Sequence, residues 1–311
     1  LVEAKIGVVE GEKNTVYLRG EITQGVHVNF KNILNSSRLK IPFGVAQIGK
    51  AFRNEITPGN FTYRSIEFEQ MELQYYVKPD KNESMKQYKF WKNLRIDWYK
   101  SLGIKPDSLR FREHKKDELA HYAKAAWDIE YKSPFGWKEC EGIHHRGDFD
   151  LSQHQEYSGQ DMSYFDEETK EKYIPWVIET SGGVDRAALF FLIDAYSEEG
   201  ERIVLRLHPK LAPYKVAVFP LLANKPQLVT LARKIYDDLK KQFMAAWDDR
   251  GNIGKRYYSQ DEIGTPWCIT IDFESLEDDA VTVRDRDTMK QKRVEIKNLV
   301  SYIREQSDDR N

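Results

Sequence analysis

Two arginines, a phenylalanine and two carboxylates are closely spaced in the N-terminal third of this chain. In chain order they are Arg53, Glu55, Arg64, Phe68 and Glu72. A short turn separates the first two from the other three. Arginine can bind phosphate oxygens through two N–H groups, phenylalanine can stack on a purine, and glutamate can accept a hydrogen bond from an exocyclic amine. The pattern therefore predicts a nucleotide site on two antiparallel strands, with ATP bent over the sheet. The sequence contains no glycine-rich P-loop or dinucleotide-binding fingerprint that would compete with this interpretation.

The segments around these residues have the alternating polar and apolar pattern of an antiparallel sheet with one covered face. Residues 1–80 are predicted to form strands and turns. The strands are expected at residues 16–19, 26–30, 46–49 and 71–77. The sheet would position the arginines and carboxylates of the candidate site.

Helices are predicted where apolar residues recur at helical spacing. The expected helices cover residues 85–102, 116–127 and 184–196. Strands are expected at 129–131 and 137–143. The charged stretch 197–202 follows the last of these helices and is the best candidate for a domain boundary.

Beyond residue 215 the pattern changes to strands that alternate with helices. An apolar run at 216–219 is followed by helical periodicity over 228–243 and by apolar runs at 267–271 and 280–283. Such alternation is typical of a small α/β domain. We therefore expect two domains, residues 1–200 with a helical insertion near 84–127, and residues 201–311.

The composition excludes several classes of protein. A net charge of −2 argues against non-specific coating of nucleic acid, and a mean hydropathy of −0.68 with 32% charged residues describes a globular chain without a membrane span. The cysteines, Cys140 and Cys268, have no C-x-x-C neighbour, so zinc is unsupported and a reducing compartment, the cytoplasm, is expected. Because the chain begins with Leu1 inside a predicted strand, we expect a fragment of a longer protein.

Residues 43–72 resemble motif 2 of class II aminoacyl-tRNA synthetases, and they are most similar to glycyl-tRNA synthetases of the homodimeric type. Further segments resemble the same family in the expected order, at residues 136–143, 164–166, 179–186, 205–213 and 264–272. The resemblance implies an α+β catalytic domain built on an antiparallel sheet, followed by a small α/β anticodon-binding domain. The family's motif 1, which builds the dimer interface, would precede Leu1.

The resemblance also implies which residues bind ATP. Arg53 would contact the α-phosphate and Arg186, at the start of a helix that resembles motif 3, would contact the γ-phosphate, so both are expected to be catalytic. Free backbone N–H groups at the N-terminus of that helix would favour binding of a phosphate group. The full set implied for ATP is Arg53, Asn54, Glu55, Tyr63, Arg64, Phe68, Glu139, Cys140, Gly183, Val184, Asp185 and Arg186.

Glycine has no side chain to hold, so its pocket must bind the ammonium group with carboxylates and exclude a Cβ by lack of space. The family supplies these groups at positions that match Glu21, Phe68, Glu69, Gln70, Met71, Glu72, Glu179, Thr180, Ser181 and Gly182. Mg²⁺, which prefers oxygen ligands, would be held by Glu139 and Glu179. Gly20 and Thr180 replace prolines of the family pattern, while the neighbouring carboxylates are retained.

The implied activity is ATP-dependent conversion of glycine to glycyl-adenylate and transfer of glycine to the 3′ end of tRNA(Gly), by a homodimer. The basic and aromatic stretches 255–258 and 284–293 would contact the anticodon. His144 and His145 are expected to be structural. A non-catalytic synthetase-like binding protein, such as a polymerase accessory subunit, is the alternative, although such a protein should have lost the ATP-binding residues. Another class IIa specificity is disfavoured by the acidic residues of the expected pocket.

Overall fold

The computed structural model describes residues 1–7 and 13–308 of the chain. These residues form two compact units. The first unit contains Leu1–Tyr99 and Lys105–Phe190, and the second contains Lys100–Ile104 and the residues from Phe191 onward. The boundary expected at 200/201 therefore lies within the second unit.

The first unit is rich in antiparallel strands. Its strands are β1 Val2–Ile6, β2 Asn14–Leu18, β3 Phe43–Phe52, β4 Glu67–Val77, β5 Leu109–Glu113, β6 Ala125–Ser133, β7 Gly136–Gly147, β8 Tyr164–Phe165, β9 Lys172–Tyr173 and β10 Trp176–Gly183. Its helices are α1 Thr23–Val28, α2 Phe30–Ser37, α3 Lys81–Ser101, α4 Phe149–Ser158 and α5 Val184–Ala195, with 3₁₀ turns at Phe61–Tyr63 and Pro106–Ser108.

The expected antiparallel sheet is confirmed as a six-stranded sheet in the order β3-β4-β10-β7-β6-β5. One face packs against α3, where the ring of Tyr75 lies 5.2 Å from that of Trp91 and Tyr88 donates a hydrogen bond to the Ile143 carbonyl. We call this the helix face. The opposite face carries the polar side chains of Gln70, Glu72 and Gln74, and we call it the site face.

The apolar cluster at one end of the sheet explains why residues 26–30 are helical and not a strand as predicted. Val26 and Phe30 are buried, and Phe30 stacks near Phe43 and Tyr76. A short apolar run fits both a strand and a buried helix segment, and burial of residues four apart here favours the helix. The predicted strand is thus replaced by the end of α1 and the start of α2.

The predicted helix at 116–127 is also wrong. Residues 116–124 form turns, and Trp127 belongs to β6, where it pairs with Glu113 of β5 and Ile143 of β7. Pairing with strands on both sides outweighs the helical spacing of the apolar residues. Within the expected helical insertion near 84–127, only α3 is an α-helix, and it is followed by β5, turns and the start of β6.

The second unit alternates strands and helices, as the sequence predicts. Its strands are β11 Tyr196–Glu199, β12 Arg202–Leu205, β13 Val216–Pro220, β14 Ala245–Trp247, β15 Trp267–Ile271, β16 Ala280–Asp285 and β17 Gln291–Glu295. Its helices are α6 Pro226–Leu239, α7 Ile253–Ile263, α8 Ser275–Asp278 and α9 Leu299–Asp308, with a 3₁₀ turn at Ile296–Asn298. The stretch expected to mark the domain boundary, 197–202, lies in the β11–β12 hairpin.

The five-stranded sheet of this unit has the order β14-β13-β15-β16-β17. β13 is parallel to β14 and β15, and the remaining pairs are antiparallel. Its core is formed by buried aliphatic side chains with Trp267, which is 1% exposed. Across residues 1–7 and 13–308, the helices are all too short or too polar to cross a bilayer.

Candidate nucleotide and amino-acid site

The loop between β3 and β4 brings the predicted nucleotide-binding residues together. The N–H group of Arg53 donates to the Ile66 carbonyl at 2.9 Å, which closes the loop at its base. The Arg53 guanidinium lies 5.3 Å from the centre of the Phe68 ring, and Arg64 Nε lies 3.8 Å from Glu55 Oε2. Two guanidinium groups, an aromatic face and a carboxylate therefore face one space, as the sequence predicts.

The start of α5 forms the other side of this space. The Arg186 guanidinium lies 4.3 Å from the centre of the Tyr63 ring, and its Nη1 lies 3.2 Å from Glu139 Oε1. Asp185 uses its carboxylate differently, because Oδ2 accepts a hydrogen bond from the Glu69 N–H at 2.8 Å. Asp185 thus fixes β4 to α5, while Arg186 is held at the pocket by a ring and a carboxylate.

Together these elements enclose a pocket of about 560 Å³, counting its open mouth. It is lined by Arg53, Glu55, Thr62, Tyr63, Arg64, Ser65, Phe68, Gln70, Glu139, Ser181, Gly182, Gly183, Asp185 and Arg186. Thr62 and Ser65 are not predicted from the sequence, where only their position inside the loop is a signal. Asn54, Cys140 and Val184, all expected at ATP, do not line the pocket.

A β-bulge explains why Glu139 reaches the pocket and Cys140 does not. Ile129 of β6 pairs with Glu141 and Glu130 pairs with Glu139, so Cys140 is an extra residue in β7. The Cys140 side chain is buried beside Tyr99 of α3, and burial raises the pKa of its thiol to about 12. Cys140 was expected at ATP, but its side chain belongs to the core on the helix face. The bulge directs Glu139 towards Arg186.

The pocket continues towards the predicted glycine-binding residues along the site face. Gln70 Nε2 donates to Ser181 Oγ at 3.1 Å, and Ser181 Oγ donates to Glu72 Oε1 at 2.8 Å. Glu72 and Ser181 are paired across β4 and β10. Glu21, which is half-buried, accepts a hydrogen bond from Gln24 at 3.3 Å. The structure thus places Ser181 between the nucleotide pocket and the buried carboxylate of Glu72.

Strand alternation removes three residues from the predicted glycine site. Phe68, Gln70 and Glu72 share the site face, so Glu69 and Met71 point to the helix face. Met71 lies beside Thr180, Arg95 and Glu141 in a different surface cleft. Glu69, Met71 and Thr180 were expected to contact glycine. Their side chains point to the face opposite Glu72 and Ser181, because adjacent residues of a strand point to opposite faces of the sheet.

Glu179 is held by a network that the sequence analysis missed. Its carboxylate accepts hydrogen bonds from Arg146 Nη1 at 3.1 Å to each oxygen and from Gln74 Nε2 at 2.8 Å, and His144 Nδ1 lies 2.9 Å away. Arg146 in turn donates to both oxygens of Asp150 at 2.7 and 2.8 Å. His144 is therefore a partner of a candidate site residue. The signal in the sequence was the charged run His144-His145-Arg146, directly after the Glu139 strand.

The two carboxylates of the site face titrate in opposite directions. Burial, and then the charge of Glu179, raises the pKa of Glu72 to about 7. Burial would also raise the pKa of Glu179, but the hydrogen bond from His144 and the charge of Arg146 outweigh it and hold that pKa well below its usual range. Near neutral pH, Glu179 is therefore ionised and compensated, whereas Glu72 is poised between its two forms.

Glu139 and Glu179, both expected to hold Mg²⁺, lie apart on the sheet. Glu179 is opposite His144 in the β7–β10 register. Glu139 is four paired positions further along β7, because Cys140 is the extra residue of the bulge, and this is roughly 13 Å at the rise of a strand. Ligands of one Mg²⁺ must each lie about 2 Å from it, whereas the Glu179 carboxylate is held by Arg146, Gln74 and His144. Glu139 retains an exposed carboxylate at the pocket, and among the described residues no group of three or more metal-ligating side chains is present.

In the second unit, most of the arginines predicted to contact an anticodon are buried and paired. Arg256 donates to four backbone carbonyls and is 2% exposed. Arg284 is bidentate to Asp261, and Arg293 pairs with Asp272 and Asp278. The donor groups of these arginines bind acceptors within the unit. This corrects the expectation that they contact RNA. The exposed basic and aromatic side chains of the predicted stretches are Lys255, Tyr258, Lys290 and Lys292.

Comparison with known proteins relates both units to one family. Residues 215–306 match the family model described as an anticodon binding domain. The chain is 56% identical over 304 residues to a glycine–tRNA ligase of Caldanaerobacter subterraneus subsp. tengcongensis, covering 96% of this chain and 65% of that protein. It is 54% identical over 312 residues to a glycine–tRNA ligase of Borreliella burgdorferi, covering 98% and 69%. It is 55% identical over 304 residues to a glycine–tRNA ligase of Geobacillus kaustophilus, covering 96% of this chain and 65% of that protein.

The chain spans about two thirds of the length of the curated relatives it matches. The matched region includes both the pocket on the antiparallel sheet and the second unit. At this identity and coverage, the chain belongs to the glycine–tRNA ligase family.

Proposed function

We propose that this chain carries the glycine-activating and anticodon-binding parts of a glycine–tRNA ligase with a class II synthetase-like catalytic domain. The observation that carries the proposal is one continuous polar path, from Arg53 and Arg186 in the nucleotide pocket, through Ser181, to the buried carboxylate of Glu72. Phosphate-binding cations and an ammonium-binding carboxylate thus lie at two ends of one site. An aminoacyl-adenylate has this polarity.

The reaction needs no protein nucleophile. A carboxylate oxygen of glycine attacks the α-phosphorus of ATP, the bond from that phosphorus to the bridging oxygen breaks, and pyrophosphate leaves. Negative charge develops on the phosphate oxygens, and preorganised cations stabilise it there. Arg53 would contact the α-phosphate and Arg186 the γ-phosphate, while Glu55 and Phe68 would hold the adenine.

The second step transfers glycine to tRNA(Gly). A terminal ribose hydroxyl attacks the glycyl carbonyl carbon, AMP leaves with the former carboxylate oxygen, and the hydroxyl proton is released. The enzyme contributes mainly orientation and electrostatics in both steps. The second unit, whose residues 215–306 match an anticodon-binding model, would position the other end of the tRNA.

Glycine is selected by charge and by lack of space. Glu72 would bind the ammonium group, with Glu21 nearby and Glu179 fixed behind it. The side chains of Ser181 and Gln70, which are hydrogen-bonded to each other at 3.1 Å, would close the space where a Cβ would lie. Overpacking by one methyl group costs about 1–3 kcal/mol, which is enough to disfavour alanine.

ATP would enter with Mg²⁺, which neutralises phosphate charge when bound. Glu139 fits a place in its coordination shell, because its carboxylate lines the pocket beside Arg186. Homodimer formation and a cytoplasmic location, inferred from the resemblance and from the two buried free cysteines, complete the proposal. The alternative, a non-catalytic synthetase-like binding protein, is disfavoured since Arg53, Glu55 and Arg186 all line the pocket.

Calorimetric binding of a non-hydrolysable glycyl-adenylate analogue tests the proposal, with the alanyl analogue as the competitor. We expect the chain to bind the glycyl form more tightly, and Arg53→Ala to weaken it by about 100-fold, because one charged hydrogen-bonding partner of the phosphate is lost. Arg250→Ala is the matched control, since that side chain is 88% exposed in the second unit. Equal binding of both analogues, or no effect of Arg53→Ala, would contradict glycine activation at this site.

A further inference from the structure

The turns between β5 and β6 hold an aromatic ring over the Arg146–Glu179 ion pair. Tyr122 lies in this segment, with the centre of its ring 3.9 Å from the guanidinium carbon of Arg146. Arg146 is 2% exposed, and its N–H groups are directed to Asp150 and Glu179. The in-plane donors of the guanidinium are thus occupied by carboxylates, and Tyr122 covers one flat face. This arrangement shields the ion pair from water.

The segment that carries Tyr122 is fastened to the sheet at both ends. The Lys124 N–H donates to the His145 carbonyl at 2.7 Å, and the His114 N–H donates to the Ala126 carbonyl at 3.0 Å. Within the segment, Glu118 pairs with Arg112 at 2.7 Å. These contacts fix the backbone on either side of the tyrosine. The ring therefore has a defined position on the site face.

Aromatic neighbours hold the ring itself. The centre of the Tyr122 ring lies 6.3 Å from that of Phe149 and 6.5 Å from the imidazole of His144, which it meets edge-on. His144 is also a hydrogen-bonding partner of Glu179. Tyr122 thus contacts both of the groups that compensate the Glu179 charge.

The electrostatic environment places the phenol among the site carboxylates. Burial raises the pKa of Tyr122, the charge of Arg146 opposes that rise, and the carboxylates of Glu179 and Glu21 add to it. The charges of the expected ammonium-binding carboxylates therefore act on this phenol.

We propose that Tyr122 is a positioning residue for glycine binding, because its ring covers Arg146 and keeps the Arg146–Glu179 ion pair dry and fixed behind the amino-acid pocket. This inference rests on the proposed function. With the ring in place, Glu179 stays in one position and cannot swing towards the ammonium group. Glu72 and Glu21 then define where that group lies, and the pocket keeps the size of glycine.

The test compares Tyr122→Phe, Tyr122→Leu and Tyr122→Ala by calorimetric binding of the glycyl-adenylate and alanyl-adenylate analogues and of ATP. Phenylalanine keeps the aromatic face, so we expect wild-type affinity. Leucine and alanine lose it, and we expect them to weaken glycyl-analogue binding by about tenfold, the scale of a buried cation–π contact, with a smaller preference over the alanyl analogue. ATP binding should not change, which also shows that the variants are folded. Tyr157→Ala, at a side chain 83% exposed on α4, is the matched control.

Wild-type affinity for Tyr122→Leu would show that the ring only fills space and would overturn the inference. A loss in Tyr122→Phe as large as in Tyr122→Ala would do the same, because it would assign the effect to the hydroxyl group. Failure of the unaltered chain to bind the glycyl analogue would overturn the proposed function and this inference together. Binding by the unaltered chain with no effect of any Tyr122 substitution would overturn the inference alone.

Discussion

Glu72 and Glu179 share one hydroxyl group. The Oγ1 atom of Thr23 lies 2.7 Å from Glu72 Oε2 and 3.2 Å from Glu179 Oε2. A hydroxyl has a single proton to donate, so both contacts are hydrogen bonds only if one carboxyl group is protonated. Glu179 faces Arg146 and His144, which favour its ionised form. Glu72 is therefore the carboxyl group of this pair that takes up a proton as pH falls through about 7, and an ammonium group beside it favours loss of that proton.

Binding of the glycyl-adenylate analogue should consequently depend on pH. The pKa of Glu72 is raised to about 7, and an ammonium group beside it will lower that pKa, so binding releases a proton wherever Glu72 begins protonated. We expect affinity to rise between about pH 6 and about pH 8, by at most about tenfold per pH unit. Calorimetry in buffers of different ionisation enthalpy counts the released protons.

Glu72→Gln is the control for this prediction, because it keeps the shape of the side chain and cannot ionise. We expect the variant to release no proton from this position and to bind the glycyl analogue weakly at every pH. An unchanged proton count in the variant would assign the titration to another group.

Stability should show the same titration with the opposite sign. The folded chain has a Glu72 pKa of about 7, above the ordinary value of 4.5, so between these values it binds more protons than the unfolded chain. Stability from this group is fully present below about pH 4.5 and is lost as pH rises towards about 7, by up to about 3 kcal/mol. Glu72→Gln should remove this loss. Urea unfolding of both chains near pH 5 and near pH 8 measures it, and parallel stability profiles would contradict it.

The sequence predicts the nucleotide end of the site well because motif 2 is a local feature. Arg53, Glu55 and Phe68 lie within sixteen residues of one hairpin, and strand pairing alone brings them together. The amino-acid end is assembled from β4, β7, β10 and α1, far apart in sequence. Arg146 and Thr23 could not be recognised there, since their role depends on which strands become neighbours.

Alternation and bulges account for other differences. A contiguous match such as 68–72 gives no indication of which side chains share a face, and Met71 lies on the helix face as a result. A bulge at Cys140 reverses this alternation for Glu139, and no local pattern marks it. The charge of Arg256 suggested an RNA contact, but only the fold reveals the carbonyl groups around it.

Arg256→Ala should destabilise the second unit, because four backbone carbonyls would lose their donor. The hydrogen bonds measure 2.6 to 3.0 Å, and the guanidinium is buried. Leaving buried acceptors unsatisfied costs about 1–3 kcal/mol each when water cannot replace the donor, so we expect a loss of about 3 kcal/mol in unfolding free energy. Urea unfolding measures the loss.

Lys255→Ala and Tyr258→Ala are the matched controls, since both side chains are exposed on the same helix, α7. We expect their unfolding free energies to stay within about 0.5 kcal/mol of the original chain. If anticodon contact involves α7, these two variants should weaken tRNA binding without loss of stability. A stable Arg256→Ala variant with weakened tRNA binding would restore the prediction made from sequence.

Glu141→Gln should disturb the nucleotide pocket from the helix face. Glu141 accepts hydrogen bonds from Arg95 at 2.6 and 2.9 Å and from Tyr99 at 2.8 Å, and it follows the bulge that directs Glu139 to Arg186. Loss of its charge leaves Arg95 without an ionic partner, which costs about 3–5 kcal/mol for a buried pair. We expect lower stability and, because the bulge loses an anchor, weaker ATP binding. Arg95→Met combined with Glu141→Gln should recover most of the stability. Calorimetry measures ATP binding and urea unfolding measures stability. A Glu141→Gln variant that bound ATP and unfolded like the original chain would contradict this prediction.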